Sequence, residues 1–215
     1  MTATCLLEAV PFRDGALAGT LRDADRAITL AINNFDSVFT DALMPALSNR
    51  LVWVPFYLLL FWYICRRVGF KRGVVILVAV AMCMLAIDQF ANLIKASVQR
   101  FRPCWDEFMV NNGLKILEKR GGKYGFFSAH AATTAGLATS VLYFVKKCWG
   151  EGKKFRLLSF LFAFWVTGVS ISRVYVGKHF FGDIIVGAFA GIIIAWLISW
   201  LVHWAITKFF PKFVN

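Results

Sequence analysis

The sequence predicts an all-α membrane protein, a polytopic helical bundle of about five transmembrane helices with an N-terminal interfacial helix. Of its 215 residues, 59% are hydrophobic and only 17% are charged, whereas a soluble domain is about half apolar and a quarter charged. The apolar residues gather into blocks of 15 to 23. That is the length needed to cross a hydrocarbon layer of about 30 Å, the shortest block relying on snorkelling flanks or local thinning. Charged residues, Asp88 apart, fall between the blocks or at their ends.

Residues 1–25 carry Glu8, Asp14, Asp23 and Asp25 and lack the sustained apolar core of a secretory signal, so they read as a surface-lying or poorly structured arm. Residues 27–48 are apolar in stripes but contain Asn33, Asn34, Asp36 and Asp41. A central Asp costs about 2.5 kcal/mol or more in a span, so an interfacial amphipathic helix or helical hairpin is expected here. The expected spans are Leu51–Cys65, Val74–Ile94, Phe126–Val145, Leu157–Ile171 and Ile184–Ile206. Residues 1–50 therefore form the arm and interfacial element, 51–208 the bundle with an extramembrane loop over 95–125, and 209–215 a short basic tail. Gly187 and Gly191 form a GxxxG pair suited to close helix packing.

The formal net charge is +12. The basic residues form no stripe on a polar domain, which argues against a nucleic-acid partner. They suit anionic headgroups beside the bilayer and an anionic substrate. Two spans separate each of 66–72, 146–156 and the tail from the next, so these three segments share one side. Their clusters of four and five Lys and Arg beside span ends resemble cytoplasmic loops. Five cysteines (Cys5, Cys65, Cys83, Cys104 and Cys148) show no metal-ligand spacing, and nothing calls for a bridge between Cys5 and Cys104.

The same parity places Lys95, Arg102, Ser128, His130, Arg173, His179 and Asp183 together on the face opposite those clusters. His179 and Asp183 are four residues apart, on one face of the helix that opens the fifth span. A carboxylate there can accept from imidazole Nδ1–H and leave Nε2 free to attack, although the pair alone fits an interfacial structural hydrogen bond equally well. Ser128 and Ala129 stand at a helix start, where unpaired N–H groups attract an anion. His130, just inside that helix, can protonate a leaving group or simply snorkel to water. Lys95 and Arg102 are seven residues apart, two turns along one helical face ahead of Pro103, and provide the paired cations a phosphoryl transition state needs. Arg100 reads as a headgroup anchor. Asp88 could orient Lys95 but reads first as a bundle contact, and Tyr175 and Lys178 flank the site.

Taken together, Lys95-x6-Arg102-Pro103, Ser128-Ala129-His130 and Ser172-Arg173-x5-His179-x3-Asp183 resemble the three-part signature of the type-2 phosphatidic acid phosphatase superfamily, from Lys95 to Asp183. The resemblance implies a phosphatase with no metal and no cofactor. It implies that Lys95, Arg102 and Arg173 bind phosphate oxygens, with Ser128 and the N–H of Ala129 adding hydrogen bonds. It further implies that His179 forms a phospho-histidine, Asp183 orients it, and His130 serves the leaving group and then activates water. The second motif of that family is usually Pro-Ser-Gly-His, whereas here it is Phe127-Ser128-Ala129-His130. Ala129 does not adopt φ > 0 cheaply, so an ordinary helical approach to the phosphate is expected. Membrane members commonly have six spans, and here residues 27–48 stand in place of the first.

A site at a bilayer surface implies a phosphorylated lipid substrate. Undecaprenyl diphosphate, lipid A phosphate, phosphatidylglycerophosphate and phosphatidate all fit, in a bacterial inner membrane with the site facing the periplasm. Residues 104–125 are expected to form a headgroup-selecting lid. Passing the phosphate to a second lipid, as a phosphotransferase does, is the main alternative. A non-catalytic anion transporter fits less well, because only Asp88 falls at intramembrane depth.

Overall fold

The computed structural model describes residues 16–35 and 37–209, and every named element in it is helical. The helices are α1 (Ala16–Asn33), α2 (Val38–Ser48), α3 (Val54–Val68, entered through a 3-10 turn at Arg50–Trp53), α4 (Phe70–Val98), α5 (Glu107–Asn111), α6 (Ala129–Trp149), α7 (Lys153–Tyr175) and α8 (Phe181–Phe209). Four helical stretches among the described residues are long and apolar enough to cross a membrane: Arg50–Val68, Phe70–Val98, Lys153–Tyr175 and Phe181–Phe209. The protein is thus a polytopic helical bundle. A single residue, Gly69 at φ 87°, turns α3 into α4.

The remaining expected span is α6, which is too rich in Ala, Ser, Thr and Gly to register as apolar on its own. Its position explains how that composition is tolerated. It packs against α4, α7 and α8 and presents buried Ala131, Ala132, Ala135, Ser140 and Val145 to them. Helices α6 and α8 run parallel, and matched pairs recur along both. Ser199 Oγ donates to Ser140 Oγ at 2.9 Å, and His203 meets Tyr143 edge-on at 6.0 Å. Close approach depends on two glycines of α8, Gly187 and Gly191. A β-carbon at Gly187 would lie 2.6 Å from the Ser128 carbonyl oxygen, and one at Gly191 2.7 Å from the Ala132 carbonyl carbon. Gly191→Val is therefore expected to force α6 and α8 apart, costing about 1–3 kcal/mol by overpacking. A lowered thermal midpoint of the detergent-solubilised protein is the readout, and an unchanged midpoint would contradict this packing.

The other half of the core is aromatic. Trp53, Phe56, Phe162 and Trp165 join α3 to α7, with Phe56 and Trp165 centroids 5.2 Å apart and Trp53 and Trp165 5.5 Å apart. Rings of this size bury large areas and favour such tilted and edge-on contacts.

Three expectations change. Residues 16–25 belong to helix α1 and not to an arm, because Asp25 and Arg26 find partners on distant elements: Arg26 pairs with Asp106 at 2.9 Å and lies 4.6 Å over Phe108. Residues 1–15, with Cys5, and the tail beyond Phe209 lie outside the described residues. The element at 27–48 falls into two helices, as the hairpin alternative expected, and what changes is that its polar residues serve tertiary contacts. Asn33 is fully buried, donates to the carbonyls of Lys115 and Tyr175 at 2.9 and 2.6 Å, and accepts from Lys115 N at 2.7 Å. Asp41 accepts from Tyr175 Oη at 2.5 Å. Tyr175, 2% exposed, therefore anchors α2 to α7 and does not face a substrate.

The third change concerns α4. It ends at Val98, because Gln99 adopts a left-handed conformation (φ 51°) that stops the helix. Arg102 therefore lies on the extended segment beyond and not on the helical face of Lys95. The strand-like pairing that follows, Phe101 with Tyr124 and Arg102 N to Lys123 O at 2.9 Å, draws the 104–125 segment back over the bundle end.

Candidate active site

The C-terminal ends of α4 and α7 and the N-terminal ends of α6 and α8 meet at one end of the bundle. All eight residues expected at the site are there. Lys95, Ser128, Ala129, His130, Arg173 and Asp183 stand at helix ends, where backbone groups lack intrahelical partners, and Arg102 and His179 lie on the connections beside them.

His179 lies in the short connection between α7 and α8, 2% exposed, with its N–H donating to Arg173 O at 3.2 Å. It precedes α8, so its approach to Asp183 does not come from helical i,i+4 geometry. Instead Asp183, in the first turn of α8, reaches back: its Oδ2 accepts from Phe180 N at 3.1 Å, in the manner of a capping carboxylate. His179 Nδ1 lies 3.4 Å from that same oxygen and makes no hydrogen bond of normal length. Sites of this kind often tighten only when substrate binds. Burial pushes the His179 pKa down to about 4; Asp183 opposes this, while Arg173 and Arg102 add to it. At neutral pH the ring is uncharged and keeps a lone pair.

Ser128 is fully buried at the N-cap of α6. Its Oγ accepts from Ala131 N at 3.4 Å, and its own N–H donates to Asp183 O at 3.0 Å. That bond locks the start of α6 to the start of α8. Ala129 is the first helical residue, with no positive φ, as expected from its replacing glycine. His130 follows, with Arg173, Arg50 and Lys95 as its charged neighbours and the His179 ring nearby. Lys95 in turn is surrounded by Arg102, Asp88, Arg50 and Arg173. Arg102 is held by Tyr124 O at 3.2 Å from its Nε. Gly125 passes so close that a β-carbon there would lie 2.8 Å from Arg102 Cγ and 3.5 Å from His179 Nδ1.

Arg173 is 6% exposed. Its Nη1 contacts Ser48 and lies 3.4 Å from Glu118 Oε2, while its Nε has no hydrogen-bond partner. Ser48 in turn donates to Glu118 Oε1 at 2.5 Å. The 104–125 segment thus lays a carboxylate against a buried guanidinium. Lys178 is buried and donates to Lys119 O, which fastens the same segment.

Below His130 an apolar cavity of about 670 Å³ opens between α3, α4 and α6, with Ser48, Arg50 and His130 at its polar rim. Asp88 lies in its wall and accepts from Asn92 at 3.3 Å. Among the described residues no three His, Cys, Asp or Glu side chains gather as metal ligands.

Sequence reasoning missed Arg50, Ser48 and Glu118, and misread Arg100. Arg50 lay just outside an expected span and Glu118 within a loop of no readable pattern. Arg100 is not a headgroup anchor: its Nη1 donates to Asp183 Oδ1 at 2.9 Å.

Residues 72–207, well over half of the chain, match the PAP2 superfamily. Fold and site together define an integral-membrane phosphatase. Over 179 residues the chain is 31% identical to a lipid A 4'-phosphatase of Bacteroides thetaiotaomicron, covering 82% of this chain and 76% of that one. A lipid A 4'-phosphatase of Porphyromonas gingivalis is 27% identical, over 80% of this chain and 70% of that one. The fold is similar to a transmembrane PAP2-type phosphatidylglycerolphosphate phosphatase from Bacillus subtilis (TM-score 0.63, 20% identity, 88% of each chain). It is also similar to LpxE of Aquifex aeolicus (TM-score 0.55, 22% identity, 81% of this chain and 93% of that one). The chain belongs to the PAP2 superfamily.

Proposed function

We propose that the protein is a lipid phosphatase that removes the 4'-phosphate of lipid A through a phospho-histidine on His179. The observation that carries this reading is the buried, uncharged His179 beside Asp183, ringed by arginines at the mouth of an apolar cavity. Nε2 of His179 attacks phosphorus and the P–O bond to the sugar breaks, with His130 giving its proton to the departing oxygen. A phosphate dianion offsets the charge of Lys95 and Arg173, cations beside His130, when substrate binds. Water then attacks phosphorus, giving its proton to His130, the N–P bond breaks to restore the His179 ring, and inorganic phosphate leaves. Asp183 holds the His179 tautomer and stabilises the ring as positive charge develops. The cations, Ser128 and the Ala129 N–H take the charge on the equatorial oxygens.

The cavity beneath His130 offers room for an acyl chain, and the two 4'-phosphatase relatives favour lipid A among phosphorylated lipids. The site faces the periplasm in this reading, since the basic clusters Arg66–Arg72 and Lys146–Arg156 mark the opposite end as cytoplasmic. The reaction runs without a metal.

The test is phosphate release by the purified protein from lipid A, undecaprenyl diphosphate, phosphatidylglycerophosphate and phosphatidate, with mass spectrometry locating the phosphate lost. Lipid A should be the fastest substrate, lose its 4'-phosphate and remain a substrate in EDTA. Faster release from another lipid overturns the assignment, and loss in EDTA that magnesium restores overturns the metal-free chemistry. Transfer of the phosphate to an added acceptor lipid would mark a phosphotransferase.

A pH dependence follows. His179 must be unprotonated to attack, and its pKa lies near 4 instead of near 6.5. The acid limb of kcat/KM that belongs to the nucleophile should therefore fall near pH 4, with His179-dependent activity kept from pH 7 down to 5. Phospho-enzyme formation in single-turnover measurements isolates this limb. A limb near 6.5 would contradict the burial of the ring.

A further inference from the structure

The carboxylate that faces His179 is itself held from two sides, and one of them is the N-terminal helix. Arg100 Nη1 donates to Asp183 Oδ1 at 2.9 Å, and Nη2 donates to Asp25 Oδ2 at 2.7 Å. Asp25 Oδ1 accepts from Gly182 N at 2.7 Å, one residue before Asp183. The Arg100 guanidinium also lies 4.1 Å over the Phe180 ring, one residue after His179. Its backbone joins in, since Gly125 N donates to Arg100 O at 2.9 Å and Gly125 packs against the His–Asp pair. Next to these, Phe181 N donates to Thr29 on α1 at 3.0 Å.

We propose that Asp25 and Arg100 are positioning residues, forming with Asp183 a carboxylate–guanidinium–carboxylate bridge by which α1 sets the orientation and charge of the partner of His179. This rests on the phosphatase reading given above. Asp183 is fully buried, Asp25 15% and Arg100 28% exposed at their side chains. A guanidinium shared between two carboxylates at such burial is not a solvent-screened surface pair: removing it leaves a buried charge uncompensated. The bridge also decides how much negative charge reaches the imidazole. Arg100 offsets Asp183, and Asp25 offsets Arg100. Arg173, Arg102 and His130 are the other titratable or charged groups facing His179.

The electrostatic signs give a test that a mere tether would fail. Arg100→Gln leaves Asp183 uncompensated, favours the imidazolium of His179 and moves the acid limb of phospho-enzyme formation to higher pH. Asp25→Asn frees Arg100 to neutralise Asp183 and moves that limb to lower pH. Both should lower kcat by roughly 10- to 100-fold, the range typical of supporting groups behind a catalytic ligand, with KM changed by no more than about two-fold. The double variant should lose no more than Arg100→Gln alone, since the two act through one link. Arg100→Lys should restore part of kcat.

The experiment is the pH profile of the burst of phospho-enzyme and of steady-state phosphate release from lipid A, with thermal midpoints recorded alongside. Limbs that stay in place or move together, additive losses, or losses confined to KM overturn the bridge. If Arg100→Gln fails to accumulate, the opposite-going limb of Asp25→Asn and the intermediate of Arg100→Lys decide. Phosphate release that survives in His179→Ala would instead overturn the phosphatase mechanism and not the bridge.

Discussion

His179→Ala is expected to lower phosphate release by a factor on the order of 10⁴ or more, the scale seen when a covalent nucleophile is removed. No second histidine can take over. His130 is fixed at the start of α6, where the proposed mechanism assigns it to the leaving group, and His203 lies at the other end of the bundle against Tyr143. The loss should come with an intact fold, because the local structure is held by backbone bonds such as His179 N to Arg173 O and by the Asp183 cap on Phe180. Equal detergent elution profiles would confirm that. Rapid quenching of the wild-type enzyme with labelled substrate should trap label that survives base and is lost in acid, as an N–P bond requires, and His179→Ala should trap none. Release within tenfold of wild type would sink the nucleophile assignment.

Arg173→Ala is the second large effect expected, a fall of about 10³-fold or more in kcat/KM, the range for an arginine on a transferring phosphoryl group. In the proposed mechanism two causes act together: the phosphate loses a buried guanidinium, and Glu118 is left facing the incoming dianion with no guanidinium between them. Arg173→Lys should recover only part of the loss, since a point charge does not reproduce the planar fork. Glu118→Gln added to Arg173→Ala should regain some activity by removing the repulsion, giving a measurable coupling between the two positions. If kcat/KM of Arg173→Ala stays within tenfold of wild type, Arg173 does not grip the phosphate.

Much of this architecture could be read from the sequence because apolar run length and parity are local, countable properties. They located the spans within a few residues and placed Lys95, Arg102, Ser128, His130, Arg173, His179 and Asp183 on one face. The His179–Asp183 spacing anticipated two side chains that do lie 3.4 Å apart, but through another geometry: a helical face was expected, and a capping carboxylate reaching back from α8 was found. What stayed hidden depends on contacts between distant residues. Asp25 meets Arg100 across 75 positions, Arg100 meets Asp183 across 83, and Glu118 meets Arg173 across 55. No periodicity records such meetings. The stop of α4 at Gln99 escaped for a related reason, since a glutamine at φ 51° goes against local preference and leaves no signal in the sequence.

The weak hydrophobicity of α6 also bears on how the enzyme is made. Synthesis delivers α6 to the insertion machinery before α7 and α8 exist, and a segment so rich in Ala, Ser and Thr has little drive to enter lipid by itself. Its earlier-made neighbours are α4 and α7, but its closest backbone approaches are to Gly187 and Gly191, the small residues against which Ser128 and Ala132 settle, and these come with α8. The end of α6 that carries His130 is therefore expected to settle fully once α8 packs against it. A nascent chain stalled before α8 is expected to carry Lys95, Arg102, Ser128 and His130 without Asp183 and without the bond from Ser128 N to Asp183 O that fixes the start of α6.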